Sequence, residues 1–144
     1  MPRSTQTYGI DTSVFLRLLT GLPEKDFKAT SDSLSALFAL QPAAELFVSN
    51  QVIGESYIAL QYHYELSKAE ARLGILQFLQ EGIVAPLNGA PVLEILGIDQ
   101  GAGLMDRLII QDYQARQIGV LTNDKKMAQI PGAVLLPRVT KKGK

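Results

Sequence analysis

Four acidic residues of this chain stand where acids are hard to explain. Asp11 closes the apolar approach "YGID" and leads into the helix-like run "TSVFLRLL". Asp is poor in strands and expensive to bury without a partner. Asp124 lies just past the apolar stretch "VLTN". Glu55 has Val52 three residues before it and Ile58, Ala59 and Tyr62 three, four and seven after it; Asp106 has Ile109, Ile110 and Tyr113 at the same forward spacings. Each helical acid is therefore expected within an apolar stripe that turns inward. Other acids have ordinary accounts. Asp112 is spaced to pair with Arg116, Glu70 has capping-box spacing from Ser67, and Glu81 sits at a helix end. Taken singly, Asp11 also reads as a helix N-cap and Asp124 as a turn residue beside Asn123, while Glu55 and Asp106 also read as solvated stripe edges. Gathered at one crevice, four carboxylates would repel one another unless a cation lay among them. Mg2+ or Mn2+, hard ions that prefer carboxylate and water oxygens, are the economical candidates.

Composition narrows the chemistry further. The 144 residues include no cysteine and one histidine, which excludes disulfides, thiolate metal sites, a cysteine nucleophile and any site needing several imidazoles. His63, in "QYHYEL", reads as a structural or surface residue, leaving no histidine acid–base pair. With 14 basic and 14 acidic residues the formal net charge is zero, so nucleic acid would have to be gripped locally rather than by a broad basic face. Hydrophobic residues make up 47% of the chain and charges are not blocked, which fits a folded domain with a sizeable core. No apolar run approaches the roughly 20 residues of a membrane helix, and the first residues do not read as a secretion signal. The absence of cysteine fits a reducing cytoplasm.

The elements that must position the acids alternate between strand and helix. Strands are expected at 7–11, 45–49, 83–87, 120–122 and 134–136, and helices at 13–20, 31–40, 50–66, 67–80 and 104–118, with a short one near 92–96. This pattern indicates an α/β fold with a central, mostly parallel sheet of four to five strands flanked by helices on both faces. One domain over 1–140 and a frayed basic tail at 141–144 are expected. In open parallel sheets, ligands bind beyond the carboxyl ends of strands, which is where Asp11 and Asp124 are placed.

Three segments, "IDTSVFLRLL", "VSNQVIGESYIAL" and "GLMDRLIIQDYQARQIGVLTNDKKM", resemble in order and spacing the signature segments of PIN-domain ribonucleases, most closely the small VapC-type toxins. The resemblance covers nearly the whole chain. It implies an endoribonuclease dependent on Mg2+ or Mn2+, with Asp11, Glu55, Asp106 and Asp124 as the catalytic, metal-holding quartet. Thr122, and Thr12 or Ser13, match the family's hydroxyl residues that orient carboxylates or water. A homodimer and a cognate antitoxin are implied as partners, and the apolar residues Phe15, Leu18, Phe38 and Leu40 are expected to offer surface for pairing.

The chain departs from the family at Arg107, where a small residue is common, and at Lys125, Lys126 and Met127, where an aromatic or bulky residue often stands. These departures touch substrate preference rather than metal binding. Arg107, Lys125, Lys126 and Arg17 are the cations expected to hold RNA, against the plain alternative of a solvated surface. Two other functions compete. One is a PIN-like module that binds RNA or protein without turnover. The other is an aspartate-based α/β phosphatase, disfavoured because Ser13 stands where its second Asp belongs.

Overall fold

The computed structural model describes residues 6–137; the basic tail expected at 141–144 lies outside them. The elements run β1 (Thr7–Gly9), α1 (Thr12–Thr20), α2 (Glu24–Leu40), β2 (Glu45–Val48), α3 (Asn50–Tyr62), α4 (Lys68–Gln80), β3 (Val84–Pro86), α5 (Ala90–Leu96), α6 (Leu104–Gln114), β4 (Val120–Thr122) and β5 (Ala133–Leu135), with a 3-10 turn at Met127–Gln129. This is the α/β alternation expected, and every strand pair is parallel. Among the described residues, hydrogen bonds divide the five strands into a three-stranded sheet, in the order β1-β2-β3, and a β4-β5 pair. The chain continues the ladders just past the strands: Ile10 N–H donates to Phe47 O at 2.9 Å and Leu136 N–H to Thr122 O at 2.7 Å.

The short strands hold because their inward residues are apolar and fully covered. Leu46 and Val48 of β2 and Val84 of β3 join Phe15, Ile53, Ile75, Val92 and Leu96 in the main core. Phe15 is 0% exposed and meets Phe78 of α4 edge to face, with ring centroids 5.8 Å apart. Burial of one such side chain contributes about 1.5–3 kcal/mol. A smaller cluster of Ile110, Val120 and Met127 fastens α6 to β4 and the 3-10 turn. Gly54 lets the Met105 side chain of α6 lie directly on α3: a β-carbon there would be 2.8 Å from Met105 Cε.

Helix ends follow their caps. Ser67 caps α4 with the full capping box, its hydroxyl accepting from Glu70 N–H and Glu70 Oε1 from Ser67 N–H. Gly21 ends α1 in the left-handed conformation that glycine adopts freely, its N–H donating to Arg17 O. Helix α2 begins at Glu24, not at residue 31. Its added turns, "EKDFKAT", carry no buried residue and so no apolar period, but Glu24 and Asp26 suit the positive end of the helix dipole.

The expected source of pairing surface needs correction. Phe15 is wholly buried, and Leu18 and Phe38 pack against the same core, so the fold itself uses them; Leu40 alone of the four is open, at 78% exposure. An exposed apolar strip instead runs along α3 and α6 through Ile58, Tyr62, Met105, Ile109 and Tyr113.

Candidate active site

Asp11 lies just beyond the carboxyl end of β1 and caps α1. Its Oδ1 accepts from Val14 N–H at 3.0 Å and from the Ser13 hydroxyl at 2.7 Å. The Ser13 bond, then that from Val14, lowers the Asp11 pKa, and the nearby charge of Arg17 adds to this. Capping and chemistry do not exclude each other here. One oxygen serves the helix, while Oδ2 has no protein donor among the described residues.

The neighbouring hydroxyl reaches a second acid. Thr12 donates its hydroxyl hydrogen bond to Glu55 Oε1, joining the start of α1 to the middle of α3. Gln51 donates to Glu55 Oε2 at 3.3 Å. These bonds, Thr12 first, hold the Glu55 pKa below its ordinary value. Thr12 and Ser13 thus each support a different carboxylate. Glu55 is exposed, however, and does not turn inward as its neighbours predicted. The buried stripe of α3 runs through Ile53, Tyr57 and Leu60, rotated from the stripe containing Ile58 and Tyr62.

Asp106 is half-buried in the first turn of α6, where the helix dipole favours a negative charge. Asp124 follows β4 and caps the 3-10 turn, its Oδ1 accepting from Lys126 N–H at 2.8 Å and Met127 N–H at 3.2 Å. Thr122 acts on the backbone: its hydroxyl oxygen accepts from Asp124 N–H at 3.0 Å.

Direct contacts unite only part of the quartet. Asp11 and Glu55 are linked through adjacent residues, Thr12 and Ser13. The segments bearing Asp106 and Asp124 border one cavity, which is walled by Gly103, Leu104 and Lys126 as well as Tyr57 of α3. Among the described residues no three acidic or histidine side chains are close enough to grip one ion jointly. The donors nevertheless suit a hard cation in kind, being all carboxylates, with Asp11 Oδ2, Asp124 Oδ2 and both oxygens of Asp106 free of protein donors among the described residues. Mg2+ characteristically binds through one or two carboxylates and keeps several waters, so a three-carboxylate cage is not required.

The expected RNA-holding cations differ in freedom. Arg107 is half-buried, and its Nε and Nη2 donate to Ala102 O and Gln100 O at 3.0 and 2.9 Å, bracing the loop before α6. Arg17 faces Asp26 at 3.7 Å. Lys125 and Lys126 are exposed and have no ion pair among the described residues.

Arg72 escaped the sequence reading. It is buried on α4, 8% exposed, among apolar residues. The signal was available: Ile75, Leu76 and Leu79 lie three, four and seven residues after it, the spacing that singled out Glu55 and Asp106.

A family model described as PIN domain matches residues 8–133. No curated protein matches the chain significantly. Among solved structures, the crystal structure of VapBC2 from Rickettsia felis bound to a DNA fragment from their promoter is similar at 19% identity, covering 91% of this chain and 98% of that one, with a TM-score of 0.39.

Proposed function

The chain belongs to the PIN-domain family, and from that membership we propose that it is a divalent-metal-dependent endoribonuclease, acting in the cytoplasm as the toxin of a toxin–antitoxin pair. The observation that carries the site assignment is the hydrogen bond from Thr12 to Glu55. It joins the helix capped by the strand-end acid Asp11 to the helix of a second acid, as a shared centre requires. Asp11, Asp106 and Asp124 are assigned to the Mg2+ or Mn2+ site, one or two of them binding the ion directly through an unengaged oxygen and the rest through ion-bound water. When bound, such an ion stabilises charge on the scissile phosphate and makes water a competent nucleophile at neutral pH.

The chain's own residues then have separate tasks. Ser13 and Val14 N–H fix the rotamer of Asp11, and the backbone of the 3-10 turn fixes that of Asp124. Both oxygens of Glu55 accept hydrogen bonds, from Thr12 and from Gln51, and these lower its pKa. Glu55 is therefore assigned to orienting water rather than to general-base work. Arg107 shapes the loop that leads into Asp106, while Lys125 and Lys126 are the freer contacts for RNA phosphates. A homodimer is proposed, with the apolar strip on α3 and α6 available for pairing, and a cognate antitoxin is the proposed inhibitor.

The test is an assay of the purified full-length chain on single-stranded RNA, with Mn2+ or Mg2+ against a chelator. Cleavage internal to the strand is expected only with metal, from a protein that light scattering finds dimeric at micromolar concentration. RNA that is bound but left whole with every ion would replace the nuclease reading by that of a binding module.

A further inference from the structure

A second feature beside the acids is a cavity of about 400 Å³ whose wall includes Tyr57, Lys68, Arg72, Asp99, Gly103 and Lys126. That volume lies within the usual range for sites that take a small ligand or part of a larger one. Among the described residues its charged side chains are three cations and one carboxylate, in a protein whose formal charge is zero.

Arg72 is the unusual member. A guanidinium removed from water is costly unless it is paired and hydrogen-bonded. Arg72 Nη1 donates to Leu96 O at 2.7 Å, closing off the last carbonyl of α5. Among the described residues no carboxylate lies within ion-pair distance of it, and no acceptor meets its other N–H groups. Those groups are not sealed off either. The wholly buried, unpartnered side-chain polar atoms of the described residues are Asn50 Oδ1 and Ser56 Oγ alone. The spare donors of Arg72 therefore remain accessible, and the space that Arg72 borders is this cavity. Stapling α4 to α5 would need one N–H; the rest of the fork has the geometry for an anion with several oxygens.

We propose that this cavity binds a backbone phosphate of single-stranded RNA flanking the bond that is cut, with Arg72 as its fixed anchor and Lys68 and Lys126 as its mobile cations. The inference rests on the ribonuclease reading for its choice of ligand. Position supports that choice. Lys126 lies two residues after Asp124, and Gly103 lies three residues before Asp106, so two of the segments that wall the cavity also carry acids of the site. A strand lying along these two segments would present one phosphate to the acids and another to these cations. Asp99 stands in the wall as the lone carboxylate among the described residues and disfavours a second anion.

The test measures binding of a short single-stranded RNA to the full-length chain in chelator, where metal-dependent cutting is suppressed. Lys68→Ala combined with Lys126→Ala should weaken binding on the order of tenfold at about 0.1 M salt and lower the salt slope by up to about 0.7, the share of the one phosphate that they help to hold. Lys25→Ala with Lys28→Ala removes the same charge from α2 and should leave the slope unchanged. Arg72→Gln should weaken RNA binding further, but it also frees Leu96 O, so the lysine pair is the cleaner comparison. Equal losses in the two lysine pairs, or none in the cavity pair, would overturn the proposal. Inorganic phosphate should shift the amide signals of Gly101 and Gly103, and RNA should displace it. Phosphate that RNA cannot displace would instead mark a site for a free anion, and the strand contact would be wrong. With Mn2+ present, the cavity pair should raise KM more than it lowers kcat. If the wild-type chain cuts RNA and the cavity pair binds and cuts equally well, the cavity proposal fails alone. If the wild type never cuts RNA but loses binding with the cavity pair, the nuclease reading fails alone.

Discussion

Asp11→Asn and Asp124→Asn are each expected to lower Mn2+-dependent RNA cleavage on the order of a hundredfold to a thousandfold, the usual effect of removing one group that stabilises charge at a reacting centre. Both replacements should leave the fold standing. Asp11 Oδ1 caps α1 and Asp124 Oδ1 caps the 3-10 turn, and Asn serves nearly as well as Asp at an N-cap. Relief of carboxylate repulsion adds little stability, because no three of the described acids crowd one point. Melting temperatures near wild type combined with lost cleavage would assign the loss to chemistry. Cleavage at the wild-type rate by either variant would remove that acid from the site.

Phe15→Ala is expected to cause the largest loss of stability. The ring is fully buried and meets Phe78 edge to face, so truncation leaves a cavity and costs about 3–5 kcal/mol. That is a large share of the roughly 5–15 kcal/mol that holds a domain together. In a chain of this size the melting temperature should fall by roughly 10 °C. Because Phe15 N–H donates to Asp11 O at 3.0 Å in the first turn of α1, the loss also loosens the segment that presents Asp11 and Thr12. Calorimetry showing an unchanged transition would mean that α1 is not anchored through this ring.

Much of this architecture was legible in the chain because its signals are local. The spacing of Ser67 and Glu70 marked the start of α4, and both appear there as a reciprocal cap. The strand at 120–122 was read with its observed limits. What escaped was set by helix phase and by tertiary partners. Glu55 was read as inward because Ile58 and Tyr62 share its face, yet Tyr62 is 77% exposed and the core takes the stripe beside it. The division of the strands into three and two depends on ladders that no strand sequence specifies alone. Arg107 read as a free cation because its partners, Gln100 O and Ala102 O, are backbone carbonyls without a side-chain signature. Arg72 carries the same inward periodicity, but its partner, Leu96 O, is again a backbone carbonyl that no side chain announces.

The claim that four acids serve one centre is tested most directly by the paramagnetism of Mn2+. In the isotopically labelled full-length chain, substoichiometric Mn2+ should broaden the amide signals of Asp11, Glu55, Asp106 and Asp124 and their immediate neighbours together, and Asp124→Asn should weaken that response in all four segments. Broadening confined to Asp11 and Glu55, or spread over surface acids such as Asp26, Asp32 and Glu81 while the four segments stay sharp, would contradict a shared centre.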